Sequence, residues 1–473
     1  MNNWVHIIGI AGVTTAGLAY AFKEKGYEVT GSDKGFYPPV SDFLKKYDIN
    51  IQPGFKKERL TIDARHPDLV IFQGTKSTKN NEEIIAAKSL GLKLTTYPGV
   101  LAEQIIKKDR SIVVTGSFGK TTTTALLTSI FSKAQINHSY MYGAFDNNLN
   151  PNVKFADPQT EYSIVEGDEY LDSLENRVSK FFSYNPQYLI ITGLQWDHQD
   201  LFPTFESYLE DFKKLVEMVP QNGLIIANGD DANIRNILQT TKARIIYCST
   251  DLNSQADWYL INDSRPQRVL MKKKDNQEIE MIPYDRAMLG KYNDKNILYA
   301  AALSYELNVS KEAIQKGIAT FQGLKRRLEI RWQNESNLVI DDFGSTPPKL
   351  KTALNELREE FPHKQIYAII DPAAGSRSMK ALNEFKNHIP KEVKVILPKF
   401  SILPKSNEAR YSEVELQELI NEEGIDCRIM DSDEDLINEL NNKLLNQKDI
   451  LVVFLGSHSF RGMITKLVDS LTK

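Results

Sequence analysis

Residues 111–124 read Ser-Ile-Val-Val-Thr-Gly-Ser-Phe-Gly-Lys-Thr-Thr-Thr-Thr, and the fold follows from where this stretch breaks. The β-branched run Ile112-Val113-Val114 predicts a buried strand that stops at Gly116. Gly119, Lys120 and Thr121 follow at once, and Ala125, Leu126, Leu127 and Ile130 continue at helical spacing. A strand, a tight glycine turn and a helix make an anion cradle, because backbone N–H groups and the positive end of the helix dipole face the same point. In such a cradle Lys120 reaches the β- and γ-phosphates of a nucleotide and the Thr121 hydroxyl sits on Mg²⁺. Gly116, Ser117, Gly119, Lys120, Thr121 and Thr122 are the candidate ATP contacts. Val114 stands where the usual phosphate loop has a further glycine, so the pattern is the shorter Gly-x-x-Gly-Lys-Thr-Thr. A plain glycine turn with an incidental lysine is the other reading of the stretch taken alone.

Outward from this loop, 473 residues suggest about three domains. A chain 41% apolar and 25% charged is an ordinary globular composition, able to bury several cores. The formal net charge of -4 gives no basic excess, which argues against a nucleic-acid partner. Cys248 and Cys427 are the only cysteines and lack metal-type spacing, so a reducing cytoplasm is expected and a disulfide framework is not. The apolar stretch from Trp4 to Phe22 lacks a basic leader and is broken by His6, Gly9 and Gly12, so it reads as neither a signal peptide nor a membrane span.

Taken in order, the chain predicts an α/β protein of three domains. Residues 4–10 read as a buried parallel strand, followed by a glycine turn, a helix stopped by Gly26, and a second strand at Tyr27–Thr30 ending in Gly31-Ser32-Asp33. Ala11 and Thr14 hold the second and third glycine positions of a dinucleotide fingerprint, with Gly12 displaced. A phosphate-binding turn and a plain βα turn both remain open there. Strands at Leu69–Phe72 and Leu92–Thr96 complete a Rossmann-like domain over 1–108, and Pro98-Gly99 reads as the start of a connection. A central P-loop ATPase domain with a mostly parallel sheet spans 109–325, with strands at Tyr162–Glu166, Tyr188–Gly193, Leu224–Ala227 and Arg244–Cys248 and antiparallel hairpins over 256–283. A Rossmann-like C-terminal α/β domain spans 326–473.

Two further clusters lie just after apolar strands, where open α/β sheets bind their ligands. They are Glu166-Gly-Asp168-Glu169 and Asp197-His198-Gln199-Asp200. Glu166, His198 and Thr121 are a candidate Mg²⁺ set, since Mg²⁺ takes few protein ligands and fills the rest with water and phosphate oxygens. Solvated loop acids are the bland alternative. Asn293 and Asn296 lie one helical turn apart and share a face, suited to the adenine or to the loop that holds it; Asn293 as a simple helix cap is the alternative. Lys325-Arg326-Arg327 marks the passage into the last domain.

In this order, Gly116-Ser-Phe-Gly119-Lys120-Thr121-Thr122-Thr123, Glu166-Gly-Asp-Glu169, Asp197-His198, Asn293/Asn296, Phe321-Gln-Gly323-Leu-Lys-Arg326-Arg327-Leu-Glu329 and Asp341-Asp342-Phe343-Gly344 resemble the Mur ligase family over nearly the whole chain. The N-terminal segments Gly9-Ile-Ala-Gly12 and Gly31-Ser32-Asp33 resemble the branch acting on UDP-N-acetylmuramate, which contains an L-alanine ligase and a peptide ligase. Tyr37-Pro38-Pro39, Ser179-Lys180-Phe181 and Ser457-His-Ser-Phe460-Arg-Gly462 look more like the peptide ligase. Phe212 occupies the place where sister branches carry a modified lysine. Phe118, Tyr292, Ser345 and Thr346 stand where this branch usually has histidine, and Ala373-Ala374-Gly375-Ser376-Arg377 matches the expected basic loop only loosely.

The resemblance implies that a lactyl carboxylate attacks the ATP γ-phosphate and that an amine then displaces phosphate from the acyl phosphate to leave an amide. Lys120, Glu166 and His198 would carry the catalysis, with Mg²⁺ on Thr121, Glu166 and His198. Asn293, Asn296, Arg327 and Asp342 would join the loop in binding ATP. Gly9, Ala11, Gly12, Ser32 and Asp33 would hold the UDP-sugar, and Arg377 the incoming amino acid or peptide. A cytoplasmic monomer or weak homodimer is expected. Three rivals stand beside this reading. A nucleotide switch without ligase activity would use the same loop. A nicotinamide oxidoreductase would leave Lys120 idle. A folate polyglutamate-type ligase would lack the N-terminal glycine domain.

Overall fold

Apolar β-branched runs become the interior strands of three sheets in the computed structural model, which describes residues 3–73, 80–172, 178–196, 201–261, 268–274, 277–372, 377–400, 410–457 and 459–472. The chain divides into two compact units, residues 1–287 with 293–322, and residues 288–292 with 323–473.

The first unit contains two sheets. β1 (Trp4–Ile8), β2 (Glu28–Asp33), β3 (Asn50–Pro53), β4 (Leu69–Phe72) and β5 (Leu94–Thr96) pair in parallel in the order β3-β2-β1-β4-β5. The helix Val13–Glu24 follows the first turn, and Gly26, at φ +85°, ends it. The segment at Pro98-Gly99 is not a connection but part of a helix, Tyr97–Gln104; Thr96 caps it and proline sits in the first turn, where its missing N–H is harmless.

The second sheet holds β6 (Ser111–Thr115), β7 (His138–Met141), β8 (Val153–Lys154), β9 (Tyr162–Glu166), β10 (Tyr188–Ile191), β11 (Leu224–Asn228), β12 (Arg244–Ser249), β13 (Trp258–Ile261), β14 (Arg268–Lys274) and β15 (Gln277–Tyr284). Their order is β15-β14-β13-β12-β11-β10-β6-β9-β7-β8. Strands from β13 across to β7 run parallel, while β14 and β15 pair antiparallel. The turns expected at 262–264 and 275–276 lie outside the described residues. β6 sits between β9 and β10, so the chain leaves it toward one side of the sheet and later returns to the other. Such a reversal opens a crevice at the carboxyl end of the strand. One apolar cluster runs from Val5 and Phe43 of the first sheet's layer to Phe145, Phe181 and Phe212 of the second.

The second unit carries β16 (Glu329–Gln333), β17 (Leu338–Asp342), β18 (Gln365–Asp371), β19 (Lys394–Leu397), β20 (Cys427–Ile429) and β21 (Ile450–Gly456), in the order β16-β17-β21-β18-β19-β20. β16 pairs antiparallel with β17 and the rest are parallel. Among the described residues no helix is long and apolar enough to cross a membrane.

Candidate active site

β6 is buried along its whole length and ends at Gly116, whose φ of +126° is open to glycine alone. A Cβ there would stand 2.4 Å from Thr192 Oγ1 and 2.8 Å from the Gly193 carbonyl. The loop is braced from that side. Thr192 Oγ1 donates to the Thr115 and Phe118 carbonyls, and the Ser117 N–H donates to Gly193 O at 2.8 Å. Gly119 (φ +79°) caps the helix Lys120–Lys133, and, having no side chain, makes no side-chain cap bond to the first N–H groups of that helix. They are the orphan donors that an anion satisfies.

The structure brings most of the candidate loop residues and their partners together. Lys120 Nζ donates to Glu169 Oε2 at 2.8 Å, and Thr121 Oγ1 donates to Glu166 Oε1 at 2.9 Å. The other Glu166 oxygen accepts from the Gly143 N–H at 2.7 Å. Burial pushes the Glu166 carboxyl above its ordinary range, and the nearby Lys120 ammonium draws it only part of the way back. Burial would lower the Lys120 ammonium, but Glu169, Asp168 and Glu166 outweigh it and hold the lysine above its usual value. Asn296 Nδ2 donates to Asn293 Oδ1 at 2.9 Å, while its Oδ1 accepts from Thr123 at 3.3 Å. A Cβ on Gly119 would stand 2.3 Å from that same oxygen, so the asparagine pair backs the loop. Thr122 is buried in the first turn of the helix.

A hydroxyl and a carboxylate in direct contact beside a phosphate loop suit Mg²⁺, which needs few protein oxygens. Among the described residues no group of three or more His, Cys, Asp or Glu forms a metal cage. His198, the third expected ligand, lies outside the described residues.

The N-terminal turn gathers its own set. Gly9 (φ +85°) and Ile10 donate their N–H groups to the Ser32 carbonyl, and the Ala11 N–H donates to Asp33 Oδ2 at 3.0 Å. Burial raises the Asp33 carboxyl although the Lys34 and Ala11 N–H groups oppose it. A Cβ on Gly12 would meet Gln73 Nε2 at 2.4 Å. The Ser32 side chain turns inward: it is fully buried and donates to Glu83, which also faces His6 and Arg59. Its backbone therefore shapes the turn, while its hydroxyl belongs to a buried polar network.

In the second unit, Asp342 accepts from the Leu328 and Gly344 N–H groups at 2.9 and 2.7 Å, and burial raises its carboxyl. The Arg327 guanidinium lies over the Phe343 ring at 5.3 Å. Arg377 is buried with its guanidinium 5.2 Å from the Phe400 ring centroid; residues 373–376, which precede it, lie outside the described residues.

The sequence reading missed the partners that arrive from a distance. Tyr208, on the helix Phe205–Met218, places its hydroxyl 3.0 Å from Ser117 Oγ and 3.5 Å from Glu169. In sequence it is one more aromatic on an apolar helix face beside Phe212, which is itself fully buried.

Comparison with known proteins agrees with this geometry. Residues 4–108 match the family model described as "Mur ligase family, catalytic domain", and residues 114–304 match the Mur ligase middle domain. The UDP-N-acetylmuramate–L-alanine ligase of Caldicellulosiruptor saccharolyticus is 28% identical over 468 residues, 99% of this chain and 98% of that protein. The UDP-N-acetylmuramate–L-alanyl-γ-D-glutamyl-meso-2,6-diaminoheptandioate ligase of Haemophilus influenzae is also 28% identical, over 79% of this chain and 81% of its own. A crystal structure of a murein peptide ligase from Psychrobacter arcticus superposes with a TM-score of 0.73 at 25% identity, covering 99% of both chains. All three are ligases, and none supports the nucleotide-switch reading. The chain belongs to the Mur ligase family of ATP-dependent, amide-forming ligases.

Proposed function

We propose that this ligase joins the lactyl carboxylate of UDP-N-acetylmuramate to the amine of L-alanine or of an L-alanine-headed peptide. The observation that carries the proposal is the loop 116–121, with its uncapped helix N-terminus, a buried lysine held by one carboxylate, and a threonine hydroxyl on another. Phosphoryl transfer asks little covalent chemistry of a protein; it asks for positioning and charge neutralisation. The N–H groups at the start of the helix Lys120–Lys133 take the phosphate oxygens. Lys120 exchanges Glu169 for the γ-phosphate; before that exchange the surrounding carboxylates hold its ammonium above its usual value. Thr121, Glu166 and His198 would hold Mg²⁺, which when bound supplies further charge neutralisation to the transferring phosphoryl group. The substrate carboxylate attacks the γ-phosphorus and ADP leaves. The acceptor amine then displaces phosphate from the acyl phosphate. The turn at Gly9–Gly12, with Asp33, is proposed to hold the UDP-sugar, and Arg377 to face the acceptor.

The acceptor separates two versions of this reading, because the relatives above divide between L-alanine and a tripeptide. Phosphate release from ATP and Mg²⁺ is measured with UDP-N-acetylmuramate plus either L-alanine or an L-alanine-headed tripeptide. Release that needs the sugar nucleotide and one of the amines is expected and names the acceptor. Release indifferent to both additions would overturn the proposal.

A further inference from the structure

The turn after β9 carries three carboxylates, and two of them are accounted for: Glu166 by Thr121 and Glu169 by Lys120. Asp168 is met from another part of the chain. Lys180 Nζ donates to Asp168 Oδ2 at 2.6 Å, and only 9% of the lysine side chain is exposed. The ammonium also lies 5.3 Å from the Tyr97 ring centroid and 5.5 Å from that of Tyr170. Its backbone is fixed too: the Lys180 N–H donates to the Tyr170 carbonyl at 3.0 Å, beside a bridge between Leu171 and Ser179. A lysine this buried needs a partner, and two aromatic faces with one carboxylate are a built cation seat. Asp168 lies within electrostatic reach of Lys120 as well. Lys120 must release Glu169 to reach a phosphate, and an Asp168 carboxylate that had lost the Lys180 ammonium would compete for the same cation.

We propose that Lys180 is a positioning residue of the phosphate loop: by holding Asp168, it leaves Glu169 as the carboxylate in hydrogen-bond contact with Lys120, which can then pass to ATP. The inference rests on reading 116–121 as the ATP cradle. The full-length protein is titrated with Mg-ATP by calorimetry, and the thermal midpoint of each variant is recorded. Lys180→Met and Lys180→Gln are expected to weaken ATP binding by about tenfold, the effect of one more charge-assisted contact to be broken. Asp168→Asn combined with Lys180→Met removes both charges and is expected to bring affinity back to within about twofold of the parent, since a matched neutral pair leaves no buried charge behind. Affinity in the double variant as weak as in Lys180→Met would overturn the proposal, because it would mean that Lys180 touches the nucleotide or only supports the fold. If neither single variant folds, the double variant alone decides in the same way. A parent protein that binds no ATP overturns the proposed function itself; a parent that binds ATP as tightly as both Lys180 variants overturns only the role of Lys180.

Discussion

At the scale of single residues, the chemistry turns on which charge faces which. Lys120 stands at the mouth of the loop helix with a carboxylate, that of Glu169, already in hand. Lys120→Met is expected to lower acceptor-dependent phosphate release by about 10²–10³-fold, the usual loss when one donor to a developing charge is removed; steady-state kinetics at saturating ATP check this. In the second unit, burial lifts the Asp341 carboxyl to about 6 despite Arg326 and Arg331 beside it. The folded form of this acid holds its proton more tightly than the unfolded chain does. Its contribution to stability is therefore greatest near and below pH 4 and is lost as pH rises toward 6 and beyond. Asp341→Asn has no such dependence. The difference in thermal midpoint between variant and parent should move in the variant's favour between pH 4.5 and pH 7, by at most about 3 kcal/mol equivalent. A difference constant across that range would sink this assignment.

At the scale of elements, the loop between β6 and its helix works because two glycines take conformations that other residues resist. Gly119→Ala must adopt φ near +79° and push its methyl into Asn296. The expected result is a loss of about 1–2 kcal/mol in stability and a larger loss of ATP affinity, because the first helical N–H groups turn away from the phosphate. Calorimetric titration of Mg-ATP beside a thermal melt separates the two effects. The same local logic explains what was legible in the sequence. Leu69–Phe72 and Tyr162–Glu166 coincide residue for residue with β4 and β9, because buried parallel strands are short apolar runs with abrupt ends. β3, β16 and β20 were not readable: they are sheet edges, carry polar residues such as Asn50, Gln333 and Arg428, and depend on a neighbour for their conformation. The loop itself was legible because its glycines, lysine and threonine are adjacent in the chain. Thr192 and Tyr208 were not, since each reaches the site from a separate element and looks ordinary where it stands; Lys180 stood out only within Ser179-Lys180-Phe181, and its contact with Asp168 could not be read from the chain.

At the scale of the whole molecule, the ten-stranded sheet and the five-stranded sheet share one apolar interior. Phe43, on the helix Val40–Lys46 of the first layer, stacks on Phe145 of the second with ring centroids 4.2 Å apart and planes 15° apart. Phe22 meets Phe155 edge-on at 4.9 Å across the same seam. The helix Val13–Glu24 comes so close to the β8 region that a Cβ on Gly17 would stand 2.3 Å from Asn152 Oδ1. Interdigitation of this kind makes neither layer complete alone, so the two should open together as one cooperative body rather than as a hinge. Phe43→Ala tests this, since both rings are fully buried and the cavity would lie on the seam. The expected destabilisation is about 3–5 kcal/mol. Hydrogen exchange should quicken in β1 and β2 and, to a similar degree, in β7 and at Val153–Lys154. Faster exchange confined to the five-stranded sheet would mean that the turn at Gly9–Gly12 and the loop at 116–121 ride on layers able to move apart, and the shared core would then be packing without coupling.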